Sequence, residues 1–286
     1  MSTILVTGAT GNVGSHLVRE LRGRGEAVRA FVRDTAKARA LLGDDVDLAV
    51  GDYGDPASIA AGLGGVDRLF LLTPTHPEMV QWERNVLDAA VGAGVRRVVK
   101  MSTVGADPES DGRFARWQGT CEELLRASGI PAVILRSSNH MTNVFFATES
   151  VRAAGKIFAS LDDAKITMID RRDLAAVAAL TLTESGHDGR TYVLTGPEAI
   201  TYSDVAKTLS QVLGRTVEYV DVPDEAAIAG ALQAGAPDWL ANGVAEVARQ
   251  LKRGIAAQPS DSVRVLLGRE PYGFADFASD VAAAFR

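Results

Sequence analysis

The segment Thr3-Ile4-Leu5-Val6-Thr7-Gly8-Ala9-Thr10-Gly11-Asn12-Val13-Gly14 decides the fold. It starts as a short, β-rich apolar run and ends in three glycines spaced G-x-x-G-x-x-G. A helical pattern follows at once, with Val13, Leu17 and Leu21 on one face. Strand, glycine turn and helix, in that order, are the context a dinucleotide's pyrophosphate requires. Gly8 lets the chain turn sharply out of the strand, Gly11 lets the backbone approach a phosphate, and Gly14 lets the helix lie close to the strand. The backbone N–H groups of Thr10, Gly11, Asn12 and Val13 then face the anion, aided by the helix dipole.

Outward from this segment, the first half alternates strands with helices, the pattern of a doubly wound parallel α/β sheet. Strands are expected at Ala27–Val32, Val46–Val50, Arg68–Leu72, Val95–Met101 and Ala132–Leu135, and helices at Met79–Ala93 and Phe114–Arg126. Arg33 ends the second strand, nineteen positions past Gly14, where a cofactor-selecting side chain belongs. An arginine there suits the 2′-phosphate of NADPH, and Lys37 adds charge one turn on. Asp34 leaves NADH open, because a one-residue shift would offer the ribose a carboxylate. Asp52 and Tyr53 follow the third strand and are placed for the adenine. Thr73 and Thr75 follow the fourth, on the path of the ribose and phosphates. Ser102 and Thr103 end the fifth strand, facing the crevice where such folds bind ligands. The polar stretch Ser137-Ser138-Asn139-His140-Met141-Thr142-Asn143 ends the sixth, then turns aromatic at Phe145 and Phe146.

The second half is less regular. It reads as a strand at Lys165–Met168, a helix at Asp173–Leu182, a strand at Thr191–Leu194, a helix at Tyr202–Leu213 capped by Thr201, and a strand at Thr216–Val220. Helices broken by Gly235, Pro237, Gly254, Pro259 and Gly273 follow. The change of pattern divides the chain into a dinucleotide-binding Rossmann domain over 1–138 and a smaller substrate-binding lobe over 139–286, partly interleaved with it.

The 286 residues suffice to bury a large core. A net charge of −6 argues against nucleic acid as the main partner. No apolar run reaches membrane-spanning length, and the N-terminus enters a strand directly, so a cytoplasmic location is expected. Cys121 is the single cysteine and the four histidines are scattered, which gives no metal-ligand spacing. The oligomeric state is left open.

G-A-T-G-N-V-G after an N-terminal strand resembles the extended and atypical short-chain dehydrogenase/reductases. The classical members carry Y-x-x-x-K on the helix after the fifth strand, where Tyr gives a proton to the carbonyl and Lys holds the nicotinamide ribose. In that register this chain has Phe114 and Gln118. Phe has no proton to give, and Gln can hydrogen-bond a ribose but brings no charge. This departure resembles the NmrA-like branch, which includes quinone oxidoreductases, triphenylmethane reductases and redox-sensing regulators. Val32-Arg33-Asp34, Leu135-Arg136 followed by Met141 and Asn143, Asp170-Arg171-Arg172-Asp173-Leu174-Ala175 and Tyr192-Val193-Leu194-Thr195-Gly196-Pro197 resemble its later blocks, although Ser137 and His140 replace the branch's usual Pro and Phe.

The resemblance implies an NAD(P)H-dependent reductase of a ketone or quinone on an aromatic, polyketide-like small molecule, working without the Tyr/Lys pair. The alternative is a non-catalytic NADPH-sensing protein that binds a protein partner. A proton would come from Ser102 or Thr103 by position, from His140 by chemistry, or from the substrate itself. Ser102, Gln118, Ser138 and Asn139 are expected at the cofactor. Phe114, Trp117, His140, Met141 and Phe145 are expected at the substrate.

Overall fold

The computed structural model describes residues 2–286. Its backbone groups into two compact units. The first comprises residues 2–110, 115–137 and 171–193, and the second 111–114, 138–170 and 194–286.

The first unit is built on a seven-stranded sheet. Its strands are β1 (Thr3–Val6), β2 (Ala27–Val32), β3 (Asp47–Val50), β4 (Val66–Leu71), β5 (Arg97–Thr103) and β6 (Ala132–Ser137), and the seventh is Thr191–Leu194. The order across the sheet is β3-β2-β1-β4-β5-β6 with Thr191–Leu194 at the edge. Every neighbouring pair from β3 to β6 is parallel. The chain reverses direction across the sheet between β1 and β4, and a doubly wound sheet opens its ligand crevice at such a point. The helices here are α1 (Asn12–Gly23), α2 (Thr35–Leu42), α3 (Pro56–Gly62), α4 (Met79–Ala93) and α5 (Arg113–Ala127), the first two residues of α5 belonging to the second unit.

Helices cover a parallel sheet, so its central strands are apolar on both faces. Ile4, Leu5, Val6, Leu69, Phe70, Leu71, Val98 and Val99 are all buried. Helix α1 presents Val13, Leu17, Val18 and Leu21 to that core. Helix α4 stops at Gly94, whose φ of 70° suits the left-handed turn glycine adopts without steric cost.

In the second unit, a 3₁₀ turn over Met141–Ala147 leads to α6 (Thr148–Ala154) and β7 (Lys156–Ala159). The chain returns to the first unit for α7 (Arg171–Thr183) and β8 (Thr191–Leu194), the edge strand. It then forms α8 (Tyr202–Leu213), β9 (Glu218–Asp221), α9 (Asp224–Gln233), α10 (Asp238–Lys252), α11 (Ser262–Leu267) and α12 (Phe274–Val281). Thr201 and Asp204 form a reciprocal capping box at the start of α8, and Gly214 ends it in the left-handed region. Strands β7 and β9 pair in parallel as a separate two-stranded sheet. The core of this unit gathers Met141, Val144, Leu209, Phe274, Phe277 and Phe285.

One expected strand is absent. Lys165–Met168 is extended but makes only an isolated antiparallel bridge, Ile166 to Ile200. Thr167 spends its N–H on Ala256. The strand of this region is β7, nine residues earlier, where an edge pairing with β9 exists.

Candidate dinucleotide and active site

The glycine turn has the shape a diphosphate needs. Gly8 adopts φ of 62°, and a Cβ there would lie 2.8 Å from the Leu72 carbonyl oxygen. A Cβ on Gly14 would lie 2.1 Å from the Gly8 carbonyl oxygen, so helix and turn touch backbone to backbone. Gly11 is the N-cap of α1 and no side chain caps this helix. Gly11 and Asn12 are exposed and Thr10 is half-buried, so the helix start is open to an anion. A turn packed backbone to backbone under an exposed, uncapped helix start fits a dinucleotide's diphosphate.

At the end of β2 the Arg33 side chain is 73% exposed, with Asp52 Oδ2 at 4.0 Å. Lys37 is also exposed. Asp34 is committed elsewhere: its carboxylate caps α2 by accepting from the Lys37 N–H at 2.9 Å. The one-residue shift that would favour NADH would forfeit that cap. Asp52 accepts from the Gly54 N–H. Tyr53 was expected beside the adenine. Instead its ring is buried against Phe31 and Trp82, and its hydroxyl accepts from the Gly8 N–H at 3.0 Å and donates to the Leu72 carbonyl. Burial raises its pKa and keeps it a phenol. Tyr53 thus braces the glycine turn from below. Trp82 carries the stack outward to His76, whose ring lies parallel to it at 4.4 Å.

A buried polar network lies beyond β4 and β5. Lys100 on β5 and Glu83 on α4 are an ion pair with 0% and 1% side-chain exposure. Glu83 also accepts from the Thr73 hydroxyl at 2.9 Å. Lys100 donates further to Gln118 Oε1 at 3.0 Å and to the Met101 carbonyl at 3.3 Å. Thr75 is exposed on the loop after Thr73. Sequence reasoning placed Thr73 and Gln118 but missed Lys100 and Glu83. The available signal was a lysine inside the apolar run Val98-Val99-Lys100-Met101, since a buried cation demands a buried partner.

Ser102 and Thr103 do not have free protons. The Ser102 hydroxyl donates to Glu122 Oε1 at 2.6 Å. The same carboxylate takes both prongs of Arg136, at 2.9 and 2.7 Å, and Arg126 at 2.9 Å. Burial alone would raise the Glu122 pKa, but Arg136 and Ser102 outweigh it and hold the group below its ordinary value. Thr103 donates weakly, at 3.4 Å, to the Ser137 carbonyl, while the Ser137 hydroxyl donates to the Ser102 carbonyl. These hydroxyls tie β5 to β6 and to α5. A proton-donor role for Ser102 would have to break its bond to a carboxylate. Cys121 is buried, which pushes its thiol up out of the reactive range.

In the second unit, the Phe114 ring meets a neighbouring helix. Its para carbon points at helix α10: a Cβ on Gly243 would lie 2.2 Å from Phe114 Cζ. Trp239 meets the same ring edge-on at 6.3 Å. Arg113, beside it, binds Glu246 of α10 through two nitrogens and its backbone N–H. The half-buried aromatic ring packs against α10. Met141 is 1% exposed in the core of the unit, and Phe145 packs on Phe277 and Phe285, so both serve that core. Trp117 is half-buried on α5, in the first unit.

Ser138 shares a hydrogen bond with Thr167, and Asn139 Oδ1 accepts from Asn143. His140 is half-buried, bridged through its backbone to Ile169. Burial lowers its pKa from 6.5 to about 4, so the ring is neutral at pH 7. A neutral imidazole is not an imidazolium acid. Among the described residues, no group of three or more His, Cys, Asp or Glu side chains is placed to hold a metal, and no helix is long and apolar enough to cross a membrane.

Fold and turn together define a dinucleotide-binding protein of the Rossmann type. Comparison with known proteins makes this specific: the NmrA-like family model matches residues 1–249, and the chain belongs to that family. It is 37% identical over 282 residues to an NAD(P)H azoreductase of Xenophilus azovorans, covering 99% of both chains. It is 36% identical over 285 residues to a (4-alkanoyl-5-oxo-2,5-dihydrofuran-3-yl)methyl phosphate reductase of Streptomyces griseus, again covering 99% of both. Among solved structures, the NADPH-dependent quinone oxidoreductase of Escherichia coli, complexed with NADPH, superposes with a TM-score of 0.88 at 30% identity, covering 97% of this chain and 99% of that one.

Proposed function

We propose that this protein is an NADPH-dependent reductase that delivers hydride to a conjugated acceptor: a quinone, or a ketone on an aromatic, polyketide-like small molecule. The observation that carries the reading is the uncapped glycine cradle at the start of α1 with an exposed arginine at the end of β2. Relatives named for reduction of azo compounds, a dihydrofuranyl phosphate and quinones support it. Bound dihydronicotinamide supplies the hydride. The amides of Thr10, Asn12 and Val13 hold the pyrophosphate, the Gly11 N–H being spent on the Gly8 carbonyl at 2.9 Å; Arg33 and Lys37 take the 2′-phosphate, and Asp52 lies on the adenosine side. Thr73, Thr75 and Gln118 lie on the nicotinamide side. The second unit supplies the substrate lobe in this reading.

In this reading Phe114 stands at the classical tyrosine's position in the motif and has no proton to give, and the Ser102 proton is held by Glu122. Acid catalysis of the usual kind contributes about 10²–10⁴-fold, and an acceptor that tolerates its loss is favoured. A quinone does so because the hydroquinone anion delocalises its charge. A ketone bearing a neighbouring phenol does so by supplying its own proton.

The test is anaerobic NADPH oxidation by the purified protein with simple quinones, an azo dye and polycyclic aromatic hydroxyketones, the products identified by mass. Turnover of any of these acceptors is expected. Tight NADPH binding with no turnover would refute the reading and favour an NADPH-sensing protein that binds a protein partner.

A further inference from the structure

Lys100 is buried on β5, its ammonium surrounded by Glu83, the Met101 carbonyl and Gln118. An ammonium only donates, so the Gln118 atom that faces it must be the oxygen. The amide nitrogen of Gln118 therefore points away from the buried pair. Gln118 is half-buried and that nitrogen has no protein partner among the described residues. The lysine fixes which end of the amide looks out, and its charge polarises the N–H groups that do.

The network is anchored on four elements. Thr73 lies just past β4, Glu83 is on α4, Lys100 on β5 and Gln118 on α5. A doubly wound sheet binds the two halves of a dinucleotide on either side of its switch point. Here that point separates β1 from β4, and Arg33 at the end of β2 marks the adenosine side. The far half then lies over the ends of β4 and β5, where the free face of Gln118 is.

Building on the NADPH reading above, we propose that Gln118 donates to the nicotinamide-ribose half of the cofactor and that Lys100, held by Glu83 and Thr73, is its positioning residue. The work of a charged ribose-binding side chain is thereby divided between a neutral contact and a buried cation behind it. Keeping the cation out of the pocket leaves the neighbourhood of the hydride uncharged, which suits apolar aromatic acceptors.

The test compares two ligands on the intact protein: NADPH, and adenosine 2′,5′-bisphosphate, which has only the adenosine side. The variants are Gln118→Leu, and Lys100→Met combined with Glu83→Gln so that no buried charge is left unpaired. Both are expected to weaken NADPH by about 5- to 30-fold, the effect of one oriented hydrogen bond. Both should leave adenosine 2′,5′-bisphosphate within about 2-fold, since one lost contact acts only on the half that makes it. Unchanged NADPH affinity in Gln118→Leu overturns the contact. Equal loss of both ligands in the Lys100 and Glu83 variant makes the network purely structural and overturns the positioning role, as does no loss of either. A wild-type protein that binds neither ligand overturns the cofactor reading itself. If the paired variant does not fold, Gln118→Leu and Gln118→Glu, at a half-buried position, decide the contact alone. The glutamate turns an acceptor outward and should lose NADPH at least as strongly.

Discussion

Arg33→Ala is the sharpest perturbation of the cofactor site. The side chain is 73% exposed and its neighbour, Asp52 Oδ2, lies at 4.0 Å with 54% exposure. An exposed pair of this kind contributes about 0.5 kcal/mol, so turning Arg33 toward a phosphate costs little. Charge-assisted hydrogen bonds to a phosphate contribute about 1.5–3 kcal/mol. The difference leaves about 1–2.5 kcal/mol for NADPH over NADH, or about 5- to 70-fold in kcat/KM. Removing Arg33 also leaves the Asp52 carboxylate without a neighbouring cation, which pushes the loss toward the upper end. Steady-state kcat/KM should therefore fall 5- to 70-fold, by order of magnitude, with NADPH and stay within about 2-fold with NADH. The NADPH effect should shrink as salt rises. Equal losses with both cofactors, or no loss with either, would refute the assignment of the 2′-phosphate to Arg33.

Four further outcomes follow from the geometry. Gly14→Ala forces a Cβ to 2.1 Å from the Gly8 carbonyl; a melt should show at least about 1–3 kcal/mol of lost stability, and titration the loss of NADPH binding. Ser102→Ala should lower the melting temperature, since a hydrogen bond to a carboxylate contributes about 1.5–3 kcal/mol, while kcat stays within a few-fold; a hundredfold fall in kcat at an unchanged melting temperature would make Ser102 the acid after all. Phe114→Tyr should reduce stability without raising kcat for any ketone, because the new hydroxyl meets Gly243; a faster ketone reductase would contradict the ring orientation. His140 has its pKa lowered from 6.5 to about 4, so the unfolded chain binds its proton first as pH falls. Stability contributed by the neutral ring is complete above 6.5 and is lost progressively toward pH 4, by at most about 3 kcal/mol. Comparing wild type with His140→Phe by denaturant titration at pH 7 and pH 5 isolates it, and an unchanged difference between them would exclude a buried neutral imidazole.

Much of the fold was legible because its boundaries are local. Met79–Ala93 and Tyr202–Leu213 end where glycines adopt left-handed turns, and Thr201 caps the second of these helices. The glycine turn was readable for the same reason: each glycine meets a steric demand from backbone close by. What failed depends on distant partners. The apolar segment Lys165–Met168 looks like a strand, but a strand needs a neighbour, and only Ile166 has one. The brief alternation of β7, with Ile157 in and Phe158 out, is meaningful only once β9 pairs with it. The motif register located Phe114 correctly on its helix, yet the direction of its ring is set by Gly243, far along the chain. Lys100 and Glu83 find each other across seventeen residues and two elements, and no local pattern encodes that encounter.

The first unit is not a continuous stretch of chain, and this governs how the protein can be made and cut. Helix α7 packs on α1, β4 and β5. Arg68 donates to the Leu182 carbonyl, and Arg97 pairs with Asp188. An N-terminal fragment ending near Ser137 would lack the edge strand and expose the face of α1 that α7 covers. On the ribosome, the nucleotide-binding sheet is therefore incomplete until β8 has emerged, after residues 111–114 and 138–170 of the other unit have already been synthesised. A single cut in the gene cannot liberate a working nucleotide module; a chimera that borrows one must carry the segment 171–193 with it.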